Sequence, residues 1–349
     1  MPNFGLKIFY QDGPDVLLDS SCTMCCILGI CWVGQRQTGI FVPDGYQYYM
    51  HLTNGSGYNI DFEVDEDGTN IWVCGAFDSR SYLDHNRQVI LENGANAWGY
   101  GGDSGSGYNQ LCIIIGYPIH NPASGFGISF TGQNNFFSIN QTSLCAPVVF
   151  KGDITISAKD GWRPSNINPY LNFNNCAVFV YSENQDLSIG IGYNRDIDEH
   201  VLFAHNTDGV KLSRDISIKV VVFAKQEIVN TQSKYGMRIY NASGEIVYDS
   251  TSGILINPQL FSFGSINLRE FVNIPNIRRP MFIPTSIGGY ASFDKYSGVT
   301  KQVGFASNGF SLAPSYINHE NYEWTHPFNG KFTSNFPLMI LDAENYFKF

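Results

Sequence analysis

The stretch Phe4-Gly5-Leu6-Lys7-Ile8-Phe9 decides the fold, because it returns in the last third of the chain as Tyr235-Gly236-Met237-Arg238-Ile239-Tyr240. Every substitution keeps the class of side chain: aromatic for aromatic, long apolar for long apolar, base for base. A turn-forming glycine follows each copy, at Gly13 and at Gly244. Each copy is therefore typical of the first strand and turn of a β-hairpin.

The second strand of each predicted hairpin ends on the same dipeptide, Asp19-Ser20 in the first copy and Asp249-Ser250 in the second, after one residue of slippage. Internal repeats reveal units that are copied or folded together. Only two copies are legible, so the repeat indicates reuse of a module and not a solenoid. Neither copy contains a His, a Cys or a carboxylate pair, which indicates a packing unit and not a catalytic one.

The composition favours β-sandwiches in a larger assembly. The chain has 349 residues, which predicts two or three domains. Charged residues are 15%, aromatic residues 15%, and there are 35 glycines, a profile typical of sheets joined by tight turns. With so few solvated charges, we expect part of the surface to be covered by other subunits.

The net charge of −10, without any run of Lys or Arg, argues against binding to nucleic acid or to an anionic membrane. The opening residues already belong to the first hairpin, so we expect no secretory signal. The longest apolar stretch, residues 25–33, is too short to span a bilayer.

The eight cysteines are expected to be reduced. Several lie inside apolar runs such as Leu111-Cys112-Ile113-Ile114-Ile115, where a free thiol behaves as a small buried hydrophobe. This pattern indicates assembly in a reducing cytosol. The cysteines are Cys22, Cys25, Cys26, Cys31, Cys74, Cys112, Cys145 and Cys176.

Apolar residues recur with a period of two, which predicts strands almost throughout. Residues 216–223 form a strongly β-branched strand, and residues 58–64 and 70–73 predict a hairpin around an acidic tip. Residues 177–181 and 187–193 alternate in the same way and predict another hairpin. The predicted fold class is all-β, with tandem β-sandwich-like modules.

Two polar or proline-containing breaks divide the chain. Residues 230–234 are the better linker, and a weaker break lies near Cys145-Ala146-Pro147. They predict an N-terminal β-module at 1–146, a middle β-module at 147–232 and a C-terminal β-module at 233–349, the first and last opened by the repeated hairpin.

Gly102-Asp103-Ser104-Gly105-Ser106 resembles the nucleophile segment of chymotrypsin-like serine proteases. A catalytic serine needs a histidine base and a buried aspartate, and none of His51, His85 or His120 lies in a segment like that family's histidine strand. We interpret residues 98–107 as a Gly/Ser-rich surface loop.

The cysteines Cys22, Cys25, Cys26 and Cys31 form a C-x2-C-C-x4-C cluster, which could hold zinc or an iron–sulfur centre. No second ligand pair with zinc-knuckle spacing occurs, and residues 25–33 are typical of an apolar strand. We expect core or interface thiols, and the sequence leaves a metal at these four residues open.

The acidic tip has the first half of a calcium loop. Glu63, Asp65, Asp67 and Gly68 match positions one, three, five and six of an EF-hand, but position twelve is Cys74 where a bidentate carboxylate is required. A solvated hairpin tip is the favoured interpretation.

His200, His205, His319 and His326 follow no metal-binding spacing, and the first two flank a short strand whose ends they are expected to cap. Asp196, Asp198 and Glu199 could act as an acid and a base in glycan cleavage only if their separation in space allowed it.

Tyrosines and tryptophans would serve subunit contacts, the favoured interpretation, or sugar stacking. They are Tyr46, Tyr48, Tyr49, Trp98, Tyr100, Tyr108, Tyr290, Tyr296, Tyr316, Tyr322 and Trp324.

The repeated opening motif resembles the start of many small virion proteins of tailed bacteriophages, which are known only as tail or structural proteins. The resemblance covers the two hairpins, a tenth of the chain, and Pro14 and the extra residue of the first copy depart from it. It implies a place in the virion tail, at the tip, baseplate or fibre, and carries no catalytic residue across. It also favours a homo-oligomer, with a trimer as the preferred arrangement.

The leading hypothesis is therefore a non-enzymatic structural component of a bacteriophage tail that binds other tail subunits and itself and contributes to attachment to a host glycan or protein receptor. It would be assembled in the bacterial host cytoplasm, without cofactor, catalytic residue or metal. The alternatives are a carbohydrate-binding adhesin, which predicts exposed aromatic rings with polar neighbours at one end of a sandwich, and a glycan-degrading tail protein, which requires two facing carboxylates.

Overall fold

The protein is nearly all β, as predicted. A computed structural model describes residues 5–9, 14–33, 37–53, 56–64, 70–97, 110–119, 127–131, 136–140, 143–194, 196–225, 236–244, 246–293, 298–322, 328–335 and 337–349. Strands account for 59% of the structure, and within these ranges no α-helix is present. Accordingly, no helix in the described ranges is long and apolar enough to cross a membrane.

The strands are numbered in chain order and are joined by turns and by one-turn 3₁₀ helices at Pro164–Asn166 and Ala343–Asn345. They are β1 (Gly5–Ile8), β2 (Val16–Asp19), β3 (Cys26–Val33), β4 (Gln37–Phe41), β5 (Tyr46–Leu52), β6 (Ser56–Val64), β7 (Asn70–Leu83), β8 (Gln88–Ala97), β9 (Gln110–Pro118), β10 (Gly127–Thr131), β11 (Phe136–Asn140), β12 (Val148–Ile156), β13 (Cys176–Tyr181), β14 (Ser188–Asn194), β15 (Glu199–His205), β16 (Ile216–Ala224), β17 (Arg238–Tyr240), β18 (Ile246–Asp249), β19 (Gln259–Ser262), β20 (Pro280–Phe282), β21 (Gly288–Phe293), β22 (Gly298–Ser307), β23 (Leu312–Tyr322), β24 (Phe328–Thr333) and β25 (Pro337–Asp342).

Two six-stranded antiparallel sheets form a sandwich. One has the order β12-β16-β13-β20-β25-β19, and the other has the order β15-β14-β22-β21-β24 with β23 paired to β22. Their facing side chains form one core, in which the Phe305 ring lies 4.7 Å from that of Phe263 and 5.5 Å from that of Phe282. These edge contacts join strands of the two sheets, as expected for aromatic side chains in a sandwich core.

Two further sheets stack on the outer face of the β12-β16-β13-β20-β25-β19 sheet. The three-stranded sheet β3-β9-β5 packs its Tyr49, Ile113 and Ile115 against Phe179 and Phe223 of the sandwich. Its opposite face, with Leu52 and Cys112, packs on the four-stranded sheet β4-β8-β7-β6. Because β9 is covered on both faces, its run from Leu111 to Ile115 is apolar at every position, which is typical of a fully buried strand.

Both copies of the repeated motif are antiparallel hairpins, which confirms that prediction. β1 pairs with β2, and β17 pairs with β18. The two hairpins share one core that also contains β11. Counting from the aligned Asp19 and Asp249, Cys25 and Leu255 are equivalent, and the Cys25 N–H donates to the Leu255 carbonyl at 2.9 Å. The segments that follow the two hairpins thus lie side by side, and the bridge between Met24 and Ile256 is antiparallel.

The predicted boundary between residues 232 and 233 does not separate two sheets. β12, β13 and β16 from the middle module lie in the same sheet as β19, β20 and β25 from the C-terminal module. Val180 of β13 pairs directly with Phe282 of β20. Residues 147–232 and 233–349 therefore build one sandwich together.

The strands predicted in residues 58–73, 177–193 and 216–223 are present, but one of the two predicted hairpin pairings is wrong. Residues 216–223 fall in β16, and residues 58–64 and 70–73 fall in the hairpin β6–β7, where Val64 pairs with Asn70. The predicted hairpin of residues 177–181 and 187–193 is wrong: β13 pairs with β16 and β20, whereas β14 pairs with β15 and β22 in the opposite sheet. All six residues of β13 are buried, as is typical of a central strand that is covered on both faces.

Candidate functional site

A small polar pocket lies between the hairpin β14–β15 and the loop formed by residues 163–175; we call it the β14–β15 pocket. Its cavity volume is about 80 Å³. Charged, aromatic and amide side chains share its wall, together with one buried phenylalanine. The lining residues are Arg163, Pro164, Asn172, Phe173, Asn174, Tyr193, Asp198, Glu199 and His200.

The hairpin sets the positions of the side chains on one wall. Tyr193 pairs with His200 and Asn194 with Glu199, so these residues stand side by side at the end of the strands. Asp198 has a φ of 56°, a left-handed conformation that Asp tolerates in tight turns. β14 leaves the core towards its end, and the Tyr193 side chain emerges half-exposed.

The opposite wall is a loop held by its own asparagines. The Asn174 N–H donates to the Asn172 Oδ1 at 2.8 Å, and the Asn172 N–H donates to the Asn175 Oδ1 at 3.0 Å. Such side-chain to backbone bonds replace strand pairing in ordered loops. Paired backbone hydrogen bonds of 3.0 and 2.7 Å between Trp162 and Leu202 attach the loop to β15.

Each carboxylate of the pocket has a polar partner. The Arg163 guanidinium lies 3.3 Å from the Glu199 carboxylate, and the Tyr193 hydroxyl donates a hydrogen bond to Asp198. The Tyr193 and His200 rings meet edge to face at 5.3 Å. Both carboxylates are thus held by neighbouring side chains of the pocket wall, an arrangement that can bind a polar ligand.

The structure brings Asp198, Glu199 and His200 together and leaves the other sequence candidates apart. Asp196 is exposed in the turn, where its N–H donates to Asn194 Oδ1 at 3.0 Å. His200 and His205 lie at the ends of β15, as expected, but His205 is buried. His319 lies in β23, with its Nε2 3.2 Å from Asn321 Oδ1. His326 and the Gly102–Ser106 segment lie outside the described residues.

The four cysteines of the predicted cluster belong to different packing regions. Cys22 lies in the core of the two repeated hairpins, and Cys25 lies in the core between the sandwich and the three-stranded sheet. The Cys26 Sγ lies 3.5 Å from the Gly116 carbonyl oxygen, and Cys31 packs between the three- and four-stranded sheets. Among the described residues, no group of three or more His, Cys, Asp or Glu side chains could hold a metal ion.

The cysteine thiols that the structure describes are free, and most are buried. Burial raises the pKa of Cys26 to about 12 and raises that of Cys25 and Cys145 as well. Cys31 is half-buried, and a hydrogen bond with the Cys112 thiol lowers its pKa. Of the acidic tip, Glu63 is the second-last residue of β6, while Asp65, Asp67 and Gly68 lie outside the described residues.

The predicted contact aromatics whose side chains the structure describes are not exposed. Tyr49 is buried, and Tyr46, Tyr48, Tyr290 and Tyr316 are half-buried. Trp98, Tyr100, Tyr108, Tyr296 and Trp324 lie outside the described residues, and so does the side chain of Tyr322.

Two exposed tyrosines, Tyr170 and Tyr193, were missed by the sequence reasoning together with Arg163. Tyr170 is 81% exposed on the pocket loop, and Tyr193 is 49% exposed on the pocket wall. Tyr193 continues an alternating apolar strand, so the pattern predicts it as a core residue. The run Asn172, Asn174 and Asn175 was the available signal for an ordered polar loop.

Comparison with known proteins gives one match. No curated protein and no solved structure matches the chain. Residues 63–317, well over half of the chain, match a family described as a family of unknown function (DUF6453). The matched range includes the sandwich strands up to β22 and the whole β14–β15 pocket. The chain therefore belongs to this family of unknown function (DUF6453).

Proposed function

We propose that the protein is a non-enzymatic structural component of a bacteriophage tail, at the tip, baseplate or fibre, and that it assembles with other tail subunits and with itself. The observation that carries the proposal is the pairing of the two repeated hairpins. They pack in one core, and each leaves the last aromatic residue of the motif in solvent, Phe9 at 72% and Tyr240 at 49% exposed.

A basic residue precedes each of these equivalent rings by two positions. The Lys7 ammonium lies 4.9 Å from the centre of the Phe9 ring, and Arg238 lies two residues before Tyr240. Exposed aromatic side chains beside a base are typical of protein interfaces, where rings are buried and cations stack or pair. A motif copied within one chain and exposed in both places is therefore suited to docking on repeated neighbours.

Assembly explains the low charge as well. With 15% charged residues, the chain has less charged surface than a soluble monomer usually carries. Free buried thiols are consistent with assembly in the host cytoplasm before release. A cyclic homo-oligomer is the arrangement that most homomeric proteins adopt, and the resemblance of the motif favours a trimer.

The oligomeric state tests the proposal. Light scattering after gel filtration should give three times the 39.0 kDa mass of one chain for the wild type. Phe9→Ser combined with Tyr240→Ser should reduce this mass towards one chain, whereas Tyr82→Ser, at a residue 40% exposed on β7, should leave it unchanged. A monomeric wild type, or a double variant that stays trimeric, would contradict the role of the hairpins.

The place in the virion requires a separate measurement. An antibody against the chain should decorate the tail of intact phage particles in electron micrographs. Decoration of the head only, or labelling of the free protein without labelling of any particle, would refute a tail location.

A further inference from the structure

We propose that the β14–β15 pocket binds a terminal sugar residue of a glycan. The inference goes beyond the assembly role, because the pocket lies in the sandwich and uses no residue of the two hairpins. It rests on three observations: a half-exposed aromatic ring, donors and acceptors placed side by side, and a cavity too small for a larger ligand.

The aromatic ring supplies an apolar surface with a polar edge. Tyr193 is 49% exposed, and its hydroxyl is held by Asp198 while its ring edge packs against His200 at 5.3 Å. The ring is therefore fixed in place before a ligand arrives, which reduces the entropy cost of binding. A pyranose ring has a face of C–H groups bordered by hydroxyls, and this face can lie on a fixed aromatic ring.

The polar groups match hydroxyls better than they match ions. Arg163 offers only donors, Glu199 only acceptors, and the Asn172 and Asn174 amides both. A sugar hydroxyl donates and accepts at once, so it can bridge such neighbours. The charges of Arg163 and Glu199 are already paired at 3.3 Å, and they therefore give little net attraction to a simple anion or cation.

The volume of the cavity limits the size of the ligand. At about 80 Å³ it is well below the roughly 300–1,000 Å³ of pockets that enclose drug-sized ligands. It can hold one edge of a single ring, which leaves the rest of a glycan outside the pocket. We expect weak binding per site, with a dissociation constant of about 1 mM or higher. A homo-oligomer would strengthen attachment by presenting several such sites to one glycan-coated surface.

Saturation-transfer NMR on the full chain tests the inference. The probes are the methyl glycosides of glucose, galactose, N-acetylglucosamine and rhamnose, each at about 10 mM, above the expected dissociation constant. At least one should receive magnetisation from the protein and remain uncleaved. Tyr193→Ala and Arg163→Met should each weaken its binding by about tenfold or more, because they remove the apolar platform and the donors respectively.

A control variant distinguishes the loss of a pocket residue from the loss of an exposed tyrosine elsewhere on the surface. Tyr82→Ala removes another exposed tyrosine, 40% exposed on β7 and outside both the pocket and the two repeated hairpins, and should bind the sugar as the wild type does. If Tyr193→Ala is unfolded by circular dichroism, Tyr193→Phe serves instead, and it should weaken binding because Asp198 loses its hydrogen bond.

The result has clear readings. Absence of transfer to all four glycosides, equal binding by the wild type and the pocket variants, or cleavage of a glycoside would overturn the inference. None of these outcomes alters the oligomeric mass, so failure of the pocket and failure of the assembly role can be told apart.

Discussion

His51 is the residue whose burial has the largest electrostatic consequence. It lies in β5 with 0% exposure, and neither ring nitrogen has a partner in hydrogen-bonding geometry. Burial lowers the pKa of His51 to about 3, and the nearby Pro284 carbonyl offsets only part of this effect. The neighbouring Tyr49 ring, 6.5 Å away, adds no charge that could stabilise an imidazolium. His51 is therefore a neutral core residue.

This burial predicts acid sensitivity. The unfolded chain protonates His51 near its ordinary pKa of 6.5, while the folded chain does so only near 3. Stability contributed by neutral His51 is therefore complete above pH 6.5 and is lost as the pH falls towards 3, by about 1.4 kcal/mol per pH unit. At pH 5 the loss should be about 2 kcal/mol.

Urea unfolding at pH 7 and pH 5 measures this loss, and His51→Leu should reduce the difference between the two pH values by that amount. His85→Leu, at an exposed turn residue, should leave the difference as in the wild type. A His51→Leu variant with an unchanged pH dependence would contradict the buried neutral state.

At the scale of elements, the two hairpins reuse one turn with different burial. The Asp19 Oδ1 accepts from the N–H and Oγ of Ser21 at 2.8 and 2.5 Å, and the Asp249 Oδ1 accepts from the N–H and Oγ of Thr251 at the same two distances. Asp249 is 3% exposed and also binds Arg238 at 2.6 Å, whereas Asp19 is half-buried. We therefore expect Asp249 to contribute more to the free energy of unfolding than the equivalent Asp19.

Matched substitutions should reveal this difference. Asp249→Ala should cost about 1–3 kcal/mol of unfolding free energy, because it removes the acceptor of buried hydrogen bonds, and Asp19→Ala should cost about 1 kcal/mol or less. Urea unfolding of the two variants at pH 7 gives both values. Equal losses, or a larger loss for Asp19→Ala, would show that burial does not determine how much the turn aspartate contributes to the free energy of unfolding.

At the scale of the whole molecule, local pattern determines strands but not their partners. The alternation in residues 216–223 predicts β16 because the apolar or polar character of each side chain indicates whether that position is buried. The partner of β13 depends on Phe282, far away in sequence, and nothing in residues 177–193 encodes it. A polar turn between two alternating strands is compatible with a hairpin and equally with a crossover from one sheet to the other.

The site was only partly predictable for the same reason. Asp198, Glu199 and His200 are adjacent in sequence, so a cluster at the hairpin end could be named without the fold. Arg163 reaches Glu199 only because Trp162 pairs with Leu202, which is a long-range contact. Tyr193 is exposed because β14 extends beyond the core, and the period of two does not show where a core ends.

The sharing of sheets across residue 232 yields the last prediction. Expressed alone, residues 147–232 would leave β13 without its β20 neighbour and would expose the core that Phe263, Phe282 and Phe305 complete. Residues 233–349 alone would lose β16 and β13 from the centre of the same sheet. Neither half should give a cooperative thermal transition or a near-ultraviolet circular dichroism signal, because a sheet half with an open apolar edge and face cannot bury enough surface. The two halves produced together should recover both signals, since every pairing of the sandwich is then available. A cooperative transition for residues 147–232 alone would restore the middle module as an independent domain.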